Sequence, residues 1–254
     1  MSATPAFDRS TAQRIARAFL PRRWYGNHWH YHYSRIKLGS DPLYPGVIAA
    51  LRGSSAPLLD LGCGIGLLAH ALRAEEVALL YRGVDNDAAK IAEAQRGARH
   101  AGLRDVEFQM VDLANTLPEH HGSVAILDLL QYLDDAAQQR LLEAAIAMLI
   151  PGARLVIRTG IEDGSRRMRM TRTFDHFANL LGWMNAAPRG YPRAEDLRAK
   201  LARAGLQGTF TPLHGNTPFN NWLVVATAPR EDALAIEIRR AAARLDTGPP
   251  RPSD

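Results

Sequence analysis

Apolar positions along this chain alternate between two rhythms. Short stretches at residues 57–61, 81–85, 106–111, 124–127 and 154–159 predict five strands, the first of them buried. The stretches between them space their apolar residues at the helical period. Amphipathic helices are expected from near Leu67, from Asn86-Asp87, and from Asp135 to Ile150. Asp87 is placed as an N-cap, and Asp135-x-x-Gln138 reads as a capping box. Pro151-Gly152 stops the third of these helices. Strand and helix signals thus alternate five times, which predicts an α/β fold with a parallel sheet covered on both faces. Beyond residue 193 the order changes. A helix over 194–204 leads to strands near 207–211 and 221–227, then a terminal helix over 230–245 and a loose tail.

The turn after the first strand, Asp60-Leu61-Gly62-Cys63-Gly64-Ile65-Gly66, carries the most chemistry. Glycine lets the backbone approach a ligand closely and tolerates positive φ. A dinucleotide site wants G-x-G-x-x-G, with a helix N-terminus aimed at pyrophosphate. Here the third glycine comes one residue early, and Asp60 precedes the first by two. A carboxylate there is a poor neighbour for pyrophosphate and a good one for a cation. S-adenosylmethionine carries a sulfonium and an α-ammonium and no phosphate. The stretch resembles motif I of the class I S-adenosylmethionine-dependent methyltransferases. Cys63, between two glycines, reads as a small residue filling a tight turn rather than a nucleophile.

The following strand ends bear this out as a pattern. Asp85 lies 19 residues beyond Gly66, where a ribose-binding carboxylate belongs in a βαβ unit, with Asn86 beside it. Asp112-Leu113 ends the third strand and Asp128 the fourth. The resemblance covers roughly residues 41–228. It implies a Rossmann-like, mostly parallel seven-stranded sheet with helices on both faces and an antiparallel C-terminal strand. It also implies S-adenosyl-L-methionine as cofactor, with Asp112 accepting from the adenine amine. Asp60, Gly62, Cys63, Gly64, Gly66, Asp85, Asn86, Asp112, Leu113 and Asp128 become the expected cofactor residues. For Asp60, a local role bonding its own turn stays open.

Two regions flank this core. The first, residues 1–40, holds Trp24-Tyr25-Gly26-Asn27-His28-Trp29-His30-Tyr31-His32-Tyr33, with three of the nine histidines. As a strand it puts His28, His30 and His32 on one face; as a helix it lines up His28, Tyr31, His32 and Arg35. An aromatic segment packed over the sheet edge and a lid over the ligands are both open readings. No neighbouring carboxylate or cysteine completes a metal set, and no metal is expected. The segment that follows resembles the one upstream of motif I in small-molecule methyltransferases. By that resemblance Arg35 or Lys37 pairs with the methionyl carboxylate. The second region, 161–192 within a domain over 41–229, sets Phe174, Phe177, Leu181 and Met184 on one helical face. Segments at this point of the superfamily cover the acceptor. Phe174, Phe177, Trp183, Met184, Tyr31, Tyr33 and Tyr132 are expected to line its pocket, and His176 or His32 to take a hydroxyl proton. Residues 230–254 form a C-terminal extension.

Composition narrows the class. No apolar run approaches the roughly 20 residues of a membrane span. One cysteine excludes an internal disulfide and fits the reducing cytosol, so a cytoplasmic protein is expected. The +5 net charge comes with 28 arginines among 31 basic residues spread along the chain, and so carries little weight for nucleic acid. Asp128-Leu129-Leu130-Gln131-Tyr132 is not the Asp/Asn-Pro-Pro-aromatic motif of amino-methylating DNA enzymes, and the fourth strand has no cysteine after it. The expected activity is methyl transfer to a hydroxyl or carboxyl oxygen of a small, aromatic or unsaturated acceptor, free or carried on a carrier protein. The arrangement is also similar to methyltransferases of bacterial secondary-metabolite clusters, including those of aryl-polyene pigments. RNA methylation and a catalytically silent partner subunit stay open as alternatives. A homodimer is compatible with all of these.

Overall fold

The computed structural model describes residues 4–162, 189–215 and 220–230. The acceptor-lid positions Phe174, His176, Phe177, Trp183 and Met184 and the expected C-terminal helix lie outside the described residues. Five strands, β1 (Leu58–Leu61), β2 (Tyr81–Asp85), β3 (Val106–Met110), β4 (Ser123–Leu127) and β5 (Arg154–Gly160), lie parallel. With β6 (Gln207–Pro212) and β7 (Asn221–Thr227) they form one seven-stranded sheet in the order β3-β2-β1-β4-β5-β7-β6. Only β7 runs against its neighbours. The order reverses between β1 and β4, so the C-terminal ends of these strands open a crevice, where ligands of open α/β sheets bind.

Helices cover both faces. The α1 (Arg9–Ala16), α2 (Trp29–Ser40), α3 (Leu43–Leu51), α4 (Leu67–Ala74) and α5 (Ala88–Ala101) helices share one apolar core with Leu58, Tyr81, Ala125 and Val156. On the other face, α6 (Asp135–Ala147) and α7 (Ala194–Arg203) pack on Leu59, Leu61, Val84, Val124, Ile126, Leu155 and Ile157. Side chains alternate across a strand, so Asp60 and Arg158 both point to the α1–α5 side.

Several boundaries move. The cap of α6 is Asp134, whose Oδ1 accepts from Ala137 N at 2.8 Å, one residue before the expected Asp135. Both acids fit an N-terminus, and only the extended backbone at Asp134 decides between them. The same helix ends at Ala147 rather than Ile150. The stretch around His28–Tyr33 is helical, in α2, and the strand alternative falls. His28, Tyr31 and His32 do line up, with ring centroids 6.4 Å apart for the histidines and 5.1 Å for Tyr31 and His32. The aromatic segment does not pack over the sheet edge: α2 buries Ser34 and Leu38, leaving Trp24 87%, Tyr25 64% and Trp29 54% exposed.

Candidate active site

The glycine turn is built from the end of β1. Gly62 and Cys63 both donate to Val84 O, at 2.8 and 2.9 Å, which ties the turn to β2. Gly66 has φ +79°, and a Cβ there would lie 2.5 Å from the Phe108 ring. It is therefore glycine both for its backbone and for close packing of α4 against the sheet. Gly64 differs. It has φ +56°, but a Cβ there would meet nothing within 4 Å. The space above Gly64 is open, as a ligand cradle requires.

Three carboxylates differ in how far they are satisfied. Asp85, buried at the end of β2, accepts from Gly64 N at 2.9 Å and from Asp87 N at 3.0 Å, leaving lone pairs on both oxygens. Asp60 is 2% exposed. Its Oδ2 accepts from the Tyr81 hydroxyl at 2.6 Å, and its buried Oδ1 has no partner. Burial pushes its carboxyl up to about 7 against the Tyr81 hydrogen bond, and nearby Asp85 raises it further. The local turn role is not what holds Asp60; a neighbouring strand does. Asp112 is exposed, two residues past β3, and accepts from Ala114 N at 3.0 Å and Asn115 Nδ2 at 2.7 Å. Asn86 is exposed and Leu113 half-buried on the same strand ends. Burial and then Asp60 push the Cys63 thiol far above its usual range, which makes it inert.

A second constellation lies at the ends of β4 and β5. Arg158, 3% exposed, donates to Asp41 at 2.9 and 3.1 Å and to both oxygens of Asp128. Lys37 Nζ reaches Asp41 at 2.7 Å and Asp128 at 3.3 Å. Two cations and two anions close on one another. Burial works against charge on Asp128, but Arg158 and then Lys37 outweigh it and hold its carboxyl below the usual value. Asp128 itself sits at φ +55°, rare for a residue with a Cβ.

Tyr33 and Lys37 share the side of α2 that faces this cluster, and both lie in electrostatic reach of each other. Arg35 stands on nearly the opposite side, in a groove with Arg9, Ala12, Ile36, Gly39 and Ser40. The histidine stripe runs along that outer side, so the structure does not bring His32 to the sheet ends. Tyr132 and Leu129 follow Asp128, with Leu129 lying over Gly62. Among the described residues no three His, Cys, Asp or Glu side chains group as a metal site.

This geometry can be set against known proteins. A family described as "Methyltransferase domain" matches residues 58–152, from β1 to the turn before β5. The matched stretch holds the glycine turn and the ends of β1 to β4, within the seven-stranded sheet described above. Solved structures agree on that fold. The pyocyanin biosynthetic protein PhzM superposes with a TM-score of 0.59 at 19% identity, over 87% of this chain and 62% of that one. Magnesium protoporphyrin IX methyltransferase (ChlM) from Synechocystis PCC 6803, with bound SAH, gives 0.58 at 17%, over 87% and 95%. The mitomycin 7-O-methyltransferase MmcR gives 0.59 at 22%, over 79% and 57%. This chain thus spans less than two thirds of the length of PhzM and MmcR. No curated protein matches it.

Sequence reasoning passed over the weight of Arg158, Asp41 and Tyr81. A signal existed for Arg158: an arginine following Leu155-Val156-Ile157 in a buried strand must be paired. Nothing local pointed to Asp41 as its partner, or to Tyr81 as the partner of Asp60.

Proposed function

We propose that this chain is an S-adenosylmethionine-dependent methyltransferase acting on an oxygen of a small aromatic or unsaturated molecule. One observation carries the cofactor reading. A nearly solvent-free carboxylate, Asp60, keeps an unpaired oxygen beside an open glycine cradle and a second carboxylate, Asp85. An unpaired buried polar atom costs roughly 1–3 kcal/mol, and a cationic ligand group would relieve it. Asp85, with lone pairs to spare, suits two ribose hydroxyls. Asp112 reaches the adenine side of the same crevice. The SAH held by the similarly folded ChlM supports the reading.

When bound, S-adenosylmethionine supplies an electrophilic methyl group on sulfur. The chain's share is to orient, to exclude water and to manage one proton. Asp60 and the glycine turn hold the methionyl end, and Asp85 fixes the ribose. The acceptor approaches over the β4 end, past Leu129, Tyr132 and Tyr33. His176 is the candidate base within that reading, with Phe174, Phe177, Trp183 and Met184 as the second wall and Tyr31 and His32 at the outer margin. PhzM and MmcR, a pyocyanin biosynthetic protein and a mitomycin 7-O-methyltransferase, support an acceptor of secondary metabolism.

Division into an N-terminal lid over 1–40, a catalytic domain over 41–229 and an extension over 230–254 belongs to the same proposal, as do carrier-bound acceptors, a homodimer and a cytoplasmic location. No helix among the described residues is long and apolar enough to cross a membrane. Incubation with labelled methyl donor and a panel of phenols, aromatic acids and RNA tests the function. Label in a phenol or acid, extractable as an ether or ester, is expected. Label in RNA alone, or in nothing despite tight cofactor binding, would move the chain to the RNA or silent-subunit alternative.

A further inference from the structure

The net charge of the chain is +5, yet the stretch from Arg9 to Ser40 alone holds seven arginine and lysine residues and no acid. Basic residues are spread along the sequence; their excess over acids is not. It lies on α1, α2 and the segment joining them. In that segment Gly26 N donates to Arg23 O at 2.9 Å, which puts Trp24 and Tyr25 at the tip of a turn. Turns ordinarily carry glycine, proline, asparagine, aspartate or serine. Trp24 here is 87% exposed. Along α2 the exposure continues at Trp29, Tyr33 and Ile36, which share one side of the helix, while Ser34 and Leu38 take the buried side. Single exposed apolar residues need no explanation; a stripe of large ones marks an interaction surface.

Beside this stripe, Arg9, Ala12, Arg35, Ile36, Gly39 and Ser40 line a groove of about 380 Å³ between α1 and α2. Arg35 Nε is buried without a hydrogen-bond partner, so the protein itself supplies no acceptor for it. The acids that border the stretch are both engaged. Asp8 caps α1, accepting from the backbone and hydroxyl groups of Ser10 and Thr11. Asp41 is buried against Lys37 and Arg158. Ile36 belongs to groove and stripe alike, so an anion between the two arginines would lie next to exposed apolar side chains. That is the chemistry of a phospholipid surface. Guanidinium forks match phosphate, and indole and phenol rings settle at headgroup level. A second copy of the chain would set like charges against each other across a two-fold axis. A base-stacking platform for RNA fits less well, because Ile36 has no ring and Trp24 meets Tyr25 edge to face, at 88° and 5.6 Å.

We propose that the outer face of α2, with the turn before it, docks on an anionic lipid bilayer. Headgroup phosphates meet Arg22, Arg23 and the groove of Arg9 and Arg35, while Trp24, Tyr25, Trp29 and Ile36 enter the acyl boundary. No described helix is long and apolar enough to span the bilayer, so α2 lies on it. The docking is independent of the cofactor reading. The full chain is sedimented with vesicles of phosphatidylcholine alone, and of equal parts phosphatidylcholine and phosphatidylglycerol, at low and high salt. It should pellet with the anionic vesicles only, and less so at high salt. Each arginine near the surface contributes about fivefold, so Arg22→Gln, Arg23→Gln and Arg35→Gln together should weaken binding by about a hundredfold. Trp24→Ala with Trp29→Ala should weaken it by about tenfold and keep its salt dependence. Thermal midpoints recorded alongside show that the variants fold. No pelleting, equal pelleting with both vesicles, or folded variants that bind like the parent overturns the proposal. The parent's preference between the two vesicles decides this even where a variant folds poorly. Tighter binding to single-stranded poly(U) than to the anionic vesicles at the same salt would overturn it in favour of nucleic acid. A dimer in sedimentation velocity that Trp24→Ala with Trp29→Ala dissociates would overturn it in favour of a second copy.

Discussion

The two ends of the sheet crevice solve the problem of buried charge in opposite ways. At β4 and β5, Arg158, Lys37, Asp41 and Asp128 satisfy one another, and the cluster fastens α2 to the sheet. At β1 and β2, Asp60 keeps an orphan oxygen and Asp85 keeps spare lone pairs, beside a glycine with open space above it. A closed set of charges specifies structure; an open set, held in place by a rigid turn, waits for a ligand. Substitutions at the two ends should therefore separate stability from binding.

The largest effect belongs to the closed end. Arg158→Leu leaves Lys37 alone to balance buried Asp41 and half-buried Asp128, and breaking a buried pair costs about 3–5 kcal/mol. Urea denaturation should show that loss. A change below about 1 kcal/mol would mean the cluster is loose and solvated. At the open end, Asp85→Ala should leave the fold standing and weaken S-adenosylmethionine by about ten- to a hundredfold, for a lost contact of roughly 1.5–3 kcal/mol. Unchanged affinity in a folded variant removes Asp85 from the ribose. Gly64→Ala sharpens the contrast further. With nothing in contact, its stability cost is limited to backbone strain of about 1–2 kcal/mol, while the methyl group enters the ligand's space. Gly64→Val should be worse on both counts. Binding that survives Gly64→Ala would show the cradle holds something else.

The smallest effect is one of pH, because two terms oppose each other. Asp60's carboxyl is raised to about 7 in the folded protein, from an ordinary 3.8, so the unliganded fold loses stability as pH rises across that window. Buried His70 is lowered from 6.5 to about 4 by burial, so it adds stability as pH rises over that lower window. Between about 4 and 6.5 the slopes offset, and the parent's stability should be nearly flat. Asp60→Asn should unmask the rise due to His70, up to about 1.4 kcal/mol per pH unit. An equally flat variant would contradict the burial assigned to Asp60.

Most of the fold was legible, because central strands such as β4 and β5 are written as apolar runs and the stretches between strands keep the helical period. The glycine turn and Asp85 were legible for a related reason: both are local in sequence, fixed by a strand end and a tight turn. The closed cluster was not. Arg158 meets Asp41 across 117 residues of sequence, and only the sheet order brings them together. Lys37 was read as a cofactor ligand from a resemblance; its pairing with Asp41 is local, but Asp128 lies 91 residues away at the end of β4. The α6 cap slipped by one residue because Asp134 and Asp135 are equivalent in everything but backbone angle.

The central claim is that the β1–β2 end is an open site for a cationic adenosyl ligand, with Asp60 as its counter-charge. Titration of S-adenosylmethionine into the protein, in two buffers of different ionisation enthalpy at pH 6 and pH 8.5, measures this directly. The account predicts binding on the order of micromolar. It also predicts a proton released at pH 6, where Asp60 is protonated before the cation arrives, and none at pH 8.5. Absence of binding, or binding with no proton released at pH 6, would contradict it.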